Sequence, residues 1–164
     1  MIAEGRGDSE PPLEFRRATL GDVPRLVDLR LEFMRIVKDA GIEDEAGWRD
    51  ELARRFAGDL ASGLLVVWVC VDAGSIVATG GIGFRRRGSR VRPVASAGPT
   101  AEILNMFTLP AYRRRGIGAE LLGRCLADGR ARGVARFRLQ PTDDGRRLYE
   151  RAGFRELGSE MELA

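Results

Sequence analysis

Apolar and polar positions follow two rhythms along this chain, and the switches between them divide it into elements. Leu13-Glu14-Phe15-Arg16-Arg17 alternates with period two and predicts a short first strand. From Val23 onward, Leu26, Val27, Arg30, Leu31, Met34 and Val37 follow the helical period. Thr19 or Asp22 supplies the cap of that helix, Pro24 is tolerated in its first turn, and Gly41 stops it. A second helix is expected over 44–60, with Trp48, Leu52, Phe56 and Leu60 on one face, before Gly63 ends the region. The run 64–71 is apolar without interruption and rich in β-branched residues, the pattern of a strand buried on both faces. A hairpin turn over 72–75 returns the chain as a strand over 75–84.

In that strand Gly80, Gly81 and Gly83 leave room for something to pack closely. Residues 85–100 read as a long loop carrying Arg85, Arg86, Arg87, Arg90 and Arg92. A strand over 102–109 follows, then a glycine turn and a helix running to about Arg132, with Gly133 as its C-cap. Alternation over 135–140 predicts another strand. The last helix is expected to start at 141–144, which puts Asp143 and Asp144 at its positive end. Leu148, Tyr149 and Ala152 form its apolar side and Gly153 ends it, and 154–157 and 161–163 close the fold as paired strands. Residues 1–12 read as a disordered leader and 13–164 as one domain with no internal repeat.

The stretch from Asn105 to Ala119 organises the rest. An apolar strand stops at Pro110, which cannot donate to a ladder; a basic turn of Arg113, Arg114 and Arg115 follows; then Gly116 and Gly118 open a helix. The first turn of a helix carries backbone N–H groups without intrahelical partners and lies at the positive end of the macrodipole. Glycines let a ligand come close to that backbone, so the natural guest is a phosphate or pyrophosphate. Neither Gly-x-x-x-x-Gly-Lys-Ser/Thr nor Gly-x-Gly-x-x-Gly is present.

Composition narrows the chemistry. The 164 residues contain no histidine, which removes Ser-His and Cys-His nucleophile pairs. Cys70 and Cys125 sit inside apolar stretches, the usual setting of reduced, buried thiols, and no spacing of ligands suggests a metal. The net charge is +3, and Lys38 is the sole lysine. So modest an excess does not by itself imply nucleic acid, and none is expected as a partner, although the 85–92 arginines keep a salt-sensitive nucleic-acid domain as one rival reading. No apolar run approaches the roughly 20 residues that span a bilayer, and the start lacks the apolar core of a signal peptide. A cytoplasmic protein without a membrane partner is expected.

Arg113-x-x-Gly116-x-Gly118 resembles the acetyl-CoA-binding motif Arg/Gln-x-x-Gly-x-Gly/Ala of the GCN5-related N-acetyltransferases (GNAT). A second segment, Leu148-Tyr149-Glu150-Arg151-Ala152-Gly153-Phe154, looks like that family's Leu-Tyr-x-x-x-Gly-Phe. The order of elements matches as well, over essentially all of 13–164. The resemblance implies an α/β fold with a central mixed sheet, splayed between the fourth and fifth strands, and helices on both faces. It implies acetyl-CoA as co-substrate, with its pantetheine arm in the splay. Backbone groups of Met106, Phe107 and Thr108 would pair with that arm, and the amides of Arg113, Arg114, Arg115, Gly116, Ile117, Gly118 and Ala119 would surround the pyrophosphate.

The resemblance further implies that Tyr149 protonates the departing thiolate, and that acetyl passes directly to an amine in a ternary complex. There are departures from the pattern. Thr142 stands where many relatives have asparagine, Phe137 where some have a glutamate base, and Asn105 where many have an acid. Glu102 is then the carboxylate nearest in sequence to the reaction centre and the candidate general base. The acceptor is a small-molecule or peptide amine, and a homodimer stays open. The chief alternative is a non-catalytic acyl-CoA-binding regulatory module of the same fold.

Overall fold

The computed structural model describes residues 12–37, 41, 43–84 and 98–164. The expected leader and most of the arginine-rich loop, up to residue 97, lie outside the described residues. Seven strands form one sheet: β1 (Glu14–Arg17), β2 (Leu65–Asp72), β3 (Ser75–Phe84), β4 (Thr100–Thr108), β5 (Arg136–Leu139), β6 (Arg155–Leu157) and β7 (Glu160–Leu163). Their order across the sheet is β1-β2-β3-β4-β5-β7-β6, with β4 and β5 parallel and every other neighbouring pair antiparallel. Among the described residues the helices are α1 (Val23–Val37), α2 (Glu45–Ala61), α3 (Ile117–Ala131) and α4 (Arg146–Arg151). A parallel pair needs a crossover, and α3 supplies the one between β4 and β5.

The period-two pattern of β2 shows how the layers are sorted. Leu65, Val67, Val69 and Val71 pack with α1 and α2 through Leu26, Leu29, Leu31 and Phe56, while Val66 and Cys70 join the clusters containing Leu121, Leu122, Cys125 and Tyr149 of α3 and α4. Both faces of the strand are therefore covered, as its unbroken apolar run predicts. Asp128 of α3 accepts a hydrogen bond from Trp68 Nε1 at 2.7 Å and pairs with Arg17, tying the helix to β1 and β2.

Three expectations are corrected. Trp48 is 49% exposed, because α2 meets the core only from Leu52 onward. The fourth strand begins at Thr100 rather than 102. The last helix begins at Arg146, not at 141–144: the Thr142 hydroxyl accepts from the amide of Gly145 at 3.2 Å, folding the aspartates into a turn ahead of the helix. Thr19 and Asp22 both act at the start of α1, the Asp22 carboxylate accepting from the Thr19 amide at 2.7 Å and from both terminal nitrogens of Arg16 at 2.8 and 3.0 Å. That fork pulls the Asp22 carboxyl down to about 2.

The glycines of β3 are explained by close packing. A Cβ at Gly80 would lie 2.8 Å from Met106 Sδ and 3.1 Å from Leu121 Cβ, so what approaches is β4 and α3. At Gly129 an added Cβ would lie 2.3 Å from the Phe137 ring and 2.8 Å from Ile82 Cδ1, whereas at Gly123 of the same helix it meets nothing within 4 Å. Gly129→Ala is therefore expected to destabilise by about 1–3 kcal/mol through overpacking. Gly123→Ala should stabilise by about 0.5–1 kcal/mol through helix propensity. Urea unfolding of the two variants checks this, and equal effects would show that α3 does not sit so tightly on the sheet.

Candidate active site

Pairing between β4 and β5 is short. It joins Thr100 to Arg136, Ala101 to Phe137 and Glu102 to Arg138, and ends there. From Ile103 to Thr108 the chain continues beside β3 with no strand on its other side among the described residues. At the same place β4 carries one extra residue against β3: Phe107 faces Thr79 but Leu104 faces Gly81, a bulge centred on Asn105 and Met106. Asn105 has φ +53°, a left-handed conformation that asparagine tolerates better than most residues. The buried Thr79 hydroxyl donates to the Asn105 carbonyl at 2.7 Å and holds the bulge.

The bulge changes side-chain parity. Leu104 and Phe107, three residues apart, both pack toward α1 and α2, while Ile103 and Met106 pack on the α3 side. Phe107 meets Phe33 of α1 edge-on with ring centroids 5.9 Å apart, so its ring belongs to the core and only its backbone is free for another role.

Beside the divergence opens a cleft of about 540 Å³. Of the residues singled out in the sequence, it brings together Glu102, Met106 and Tyr149. The Tyr149 ring is buried, lies edge-on to Phe154 at 5.9 Å and passes close to Gly145, where an added Cβ would be 3.1 Å from the ring. Its hydroxyl makes no hydrogen bond among the described residues, yet no described buried side-chain oxygen lacks a partner, so the hydroxyl reaches the opening rather than the core. Burial pushes the phenol up to about 12, so it keeps its proton throughout the neutral range. Glu102 lines the same cleft, is exposed, and has no ion pair or hydrogen bond among the described residues.

Arg113 to Ala119 form a separate region next to that cleft. Gly116 is the N-cap of α3 with φ +78°, and Arg114 adopts φ +64°. The first bond of the helix runs from the Glu120 amide to the Gly116 carbonyl at 3.1 Å. Ahead of it, the amides of Arg114 through Ala119 have no acceptor among the described residues. Successive free amides around left-handed turns make a concavity for an anion. A Cβ at Gly116 would meet nothing within 4 Å, so glycine is needed there for conformation; at Gly118 it would lie 3.3 Å from Leu148, so there glycine is needed for space. Arg113 donates to the Thr108 carbonyl at 3.3 Å and Arg115 lies over the Tyr112 ring, leaving the guanidinium groups at the rim.

Neither cysteine belongs to the site. Burial raises the Cys70 thiol and pushes that of Cys125 up to about 12, so neither offers a thiolate. No group of three or more His, Cys, Asp or Glu able to hold a metal is found among the described residues. No described helix is long and apolar enough to cross a membrane. The sequence reading passed over Thr79 and assigned Asn105 no structural role; an asparagine in an otherwise apolar strand is the signal that marks such a bulge. It also missed Arg30, Phe33 and Arg55, which line the cleft from α1 and α2.

The fold is shared with known proteins. Residues 26–154 match the profile of the acetyltransferase (GNAT) family. A predicted acetyltransferase of Clostridium acetobutylicum, crystallised with acetyl-CoA, is 27% identical with a TM-score of 0.78, covering 93% of this chain and 96% of that one. A GCN5-related N-acetyltransferase of Ralstonia eutropha is 26% identical with a TM-score of 0.76, covering 90% and 95%. PaiA N-acetyltransferase of Thermoplasma acidophilum, in complex with coenzyme A, shares the fold at 16% identity and a TM-score of 0.69, covering 93% and 97%. No curated protein matches this chain.

The bulge yields a test. Thr79→Val keeps the shape and removes the donor to the Asn105 carbonyl. We expect a loss of about 0.5–1.5 kcal/mol in urea unfolding, the net contribution of one hydrogen bond to a half-buried acceptor. An unchanged midpoint would mean that the bulge is held by something other than Thr79.

Proposed function

The chain belongs to the acetyltransferase (GNAT) family, and from that premise we propose that it moves acetyl from acetyl-CoA to a primary amine by direct attack in a ternary complex. The observation that carries this reading is the early end of β4–β5 pairing at Glu102 beside six consecutive free amides at the start of α3. The first supplies an unpaired strand edge for an amide-bearing arm, the second a cradle for a pyrophosphate. Among proteins of this fold, the Clostridium acetobutylicum structure contains acetyl-CoA and the Thermoplasma acidophilum structure coenzyme A.

In this reading the pyrophosphate lies on the amides of Arg114 to Ala119, and the backbone of Met106, Phe107 and Thr108 pairs with the pantetheine arm. An aliphatic ammonium has a pKa of roughly 10.4, so the acceptor must lose a proton before it attacks. Glu102, unpaired in the cleft, takes that proton, directly or through water. The amine nitrogen bonds to the acetyl carbon, and a backbone amide of the β4 edge stabilises the oxyanion. The attacking nitrogen, now positively charged, gives up its second proton to water, the C–S bond breaks, and the thiolate takes up a proton.

Tyr149 acts at that last step. With a phenol near 12 and a thiol near 8.5, complete proton transfer is uphill by about 5 kcal/mol. The hydroxyl therefore contributes chiefly as a hydrogen bond to the developing thiolate, and water completes the protonation. The buried thiols leave no nucleophile for an acyl-enzyme.

Thiol release measured over a panel of amines tests the reaction. Acetyl-CoA binding without transfer to any amine would leave only the non-catalytic acyl-CoA-binding module.

Two variants test the parts. Gly118→Asp puts a negative charge where the pyrophosphate is placed, and Gly118→Asn puts the same bulk there without charge. We expect acetyl-CoA affinity, by calorimetry, to fall at least about tenfold further in the aspartate variant. Equal affinities in the two would remove the anion cradle.

Tyr149→Phe keeps the ring and deletes a hydroxyl that makes no hydrogen bond in the fold. We expect kcat to drop by roughly 10²-fold or less, with Tm and acetyl-CoA affinity little changed. A normal kcat would leave Tyr149 as packing.

A further inference from the structure

At the end of the cleft formed by α1 and α2, two arginines line the opening, and neither forms an ion pair among the described residues. Arg30 of α1 lines the cleft, lies over the Phe33 ring at 5.0 Å, and makes no hydrogen bond or ion pair among the described residues. Arg55 of α2 lines it too and is likewise unpaired. The same two helices neutralise other arginines: Arg35 pairs with Glu45, and Arg49 reaches Glu45 at 3.0 Å and Asp28 at 2.6 Å. Asp59, one turn beyond Arg55, also lines the cleft and forms no ion pair with it. Desolvation, and next the charge of Arg55, lower the pKa of Arg30, which is half-buried while Arg55 is exposed. A guanidinium half removed from water beside a second one is costly unless an anion arrives.

Two carboxylates share the lining, Asp59 of α2 and Glu102 of β4, and neither has an ion pair among the described residues. None of residues 113–119 lines this cleft, so the arginine pair is distinct from the amide run at α3. Phe33, Leu52 and Phe56 supply apolar wall between.

We propose that the acceptor is a small amine that also carries an anionic group, carboxylate or phosphate, held by Arg30 and Arg55 while its nitrogen lies toward Glu102. This rests on the transfer reading above and names the substrate class for it. Guanidinium groups suit either anion, because their paired N–H donors match two oxygens at once. A polyamine or another dication meets two positive charges at that end and is disfavoured.

Matched acceptors test this in the thiol-release assay: β-alanine against β-alaninamide, phosphoethanolamine against ethanolamine, and putrescine as the dication. We expect kcat/KM for at least one anionic member to exceed its neutral partner by about tenfold to 10²-fold, the range of one or two charge-assisted hydrogen bonds. The carboxylate and phosphate arms show which anion is preferred. In Arg30→Gln and in Arg55→Gln that ratio should fall toward one, and Arg30→Lys should restore part of it. Acetyl-CoA affinity and Tm serve as folding controls.

If no amine is acetylated, calorimetry of the same acids on the protein saturated with coenzyme A decides. Binding that is lost in Arg30→Gln keeps the anion pocket and sinks the transfer reading. Neutral amines or putrescine preferred, a ratio the arginine variants do not move, or no binding and no turnover of either acid overturns the proposal.

Discussion

The fold depends on where the ladder between β4 and β5 stops. Three residue pairs hold these parallel strands together, and after Glu102 they part. A sheet cannot leave a strand edge unpaired in its middle without cost, since each buried backbone group without a partner forfeits a hydrogen bond. Two features make the parting stable. The bulge at Asn105 re-aims the chain, and Thr79 absorbs one carbonyl that the ladder no longer serves. In the transfer reading, the remaining edge of β4, from Ile103 to Thr108, takes an arm that brings its own amides, a use for so incomplete a sheet.

The same logic governs the start of α3. A helix always begins with unpartnered amides, but here the preceding turn extends the run back to Arg114 by placing Arg114 and Gly116 at positive φ. The helix has to be held firmly for those amides to point at a fixed place. Close contacts at Gly129 with Phe137 and Ile82, the approach of Gly80 to Leu121, and the Asp128 links to Trp68 and Arg17 provide that hold. Small residues in a strand and mid-helix, unfavourable by propensity, are thus the condition for a close fit between crossover helix and sheet.

Much of this was legible before the structure. The two-sided burial of β2, the strand–turn–helix from Asn105 to Ala119 and the order of the elements follow from periodicity, β-branching and the positions of glycine and proline. What was not legible shares one cause: it depends on long-range partners. The bulge needs Thr79 from a neighbouring strand, and the exposure of Trp48 reflects how far α2 extends past the core. The delayed start of α4 is different, because it is local. Thr142 gathers the chain there into a turn, its hydroxyl accepting from the Gly145 amide and its carbonyl from the amides of Gly145 and Arg146, and composition alone does not say where turn gives way to helix. Arg30 and Arg55 sit 25 residues apart on separate helices (55 minus 30), and nothing in either helix's period shows that both reach one cleft.

With no histidine in the chain and both thiols raised by burial, few side chains remain to do chemistry in this cleft. The main chain supplies most of the polar surface on the cofactor side, through β4 and the amides before α3. In the cleft, Glu102, Asp59, Tyr149, Arg30 and Arg55 are side chains that make no ion pair or hydrogen bond among the described residues. A binding surface built from backbone tolerates wide change in sequence so long as conformation is kept, which fits a fold retained at 16% identity. In the transfer reading, discrimination between acceptors falls to side chains of α1 and α2, which lie on the face of the sheet away from α3 and can vary without disturbing the amide run.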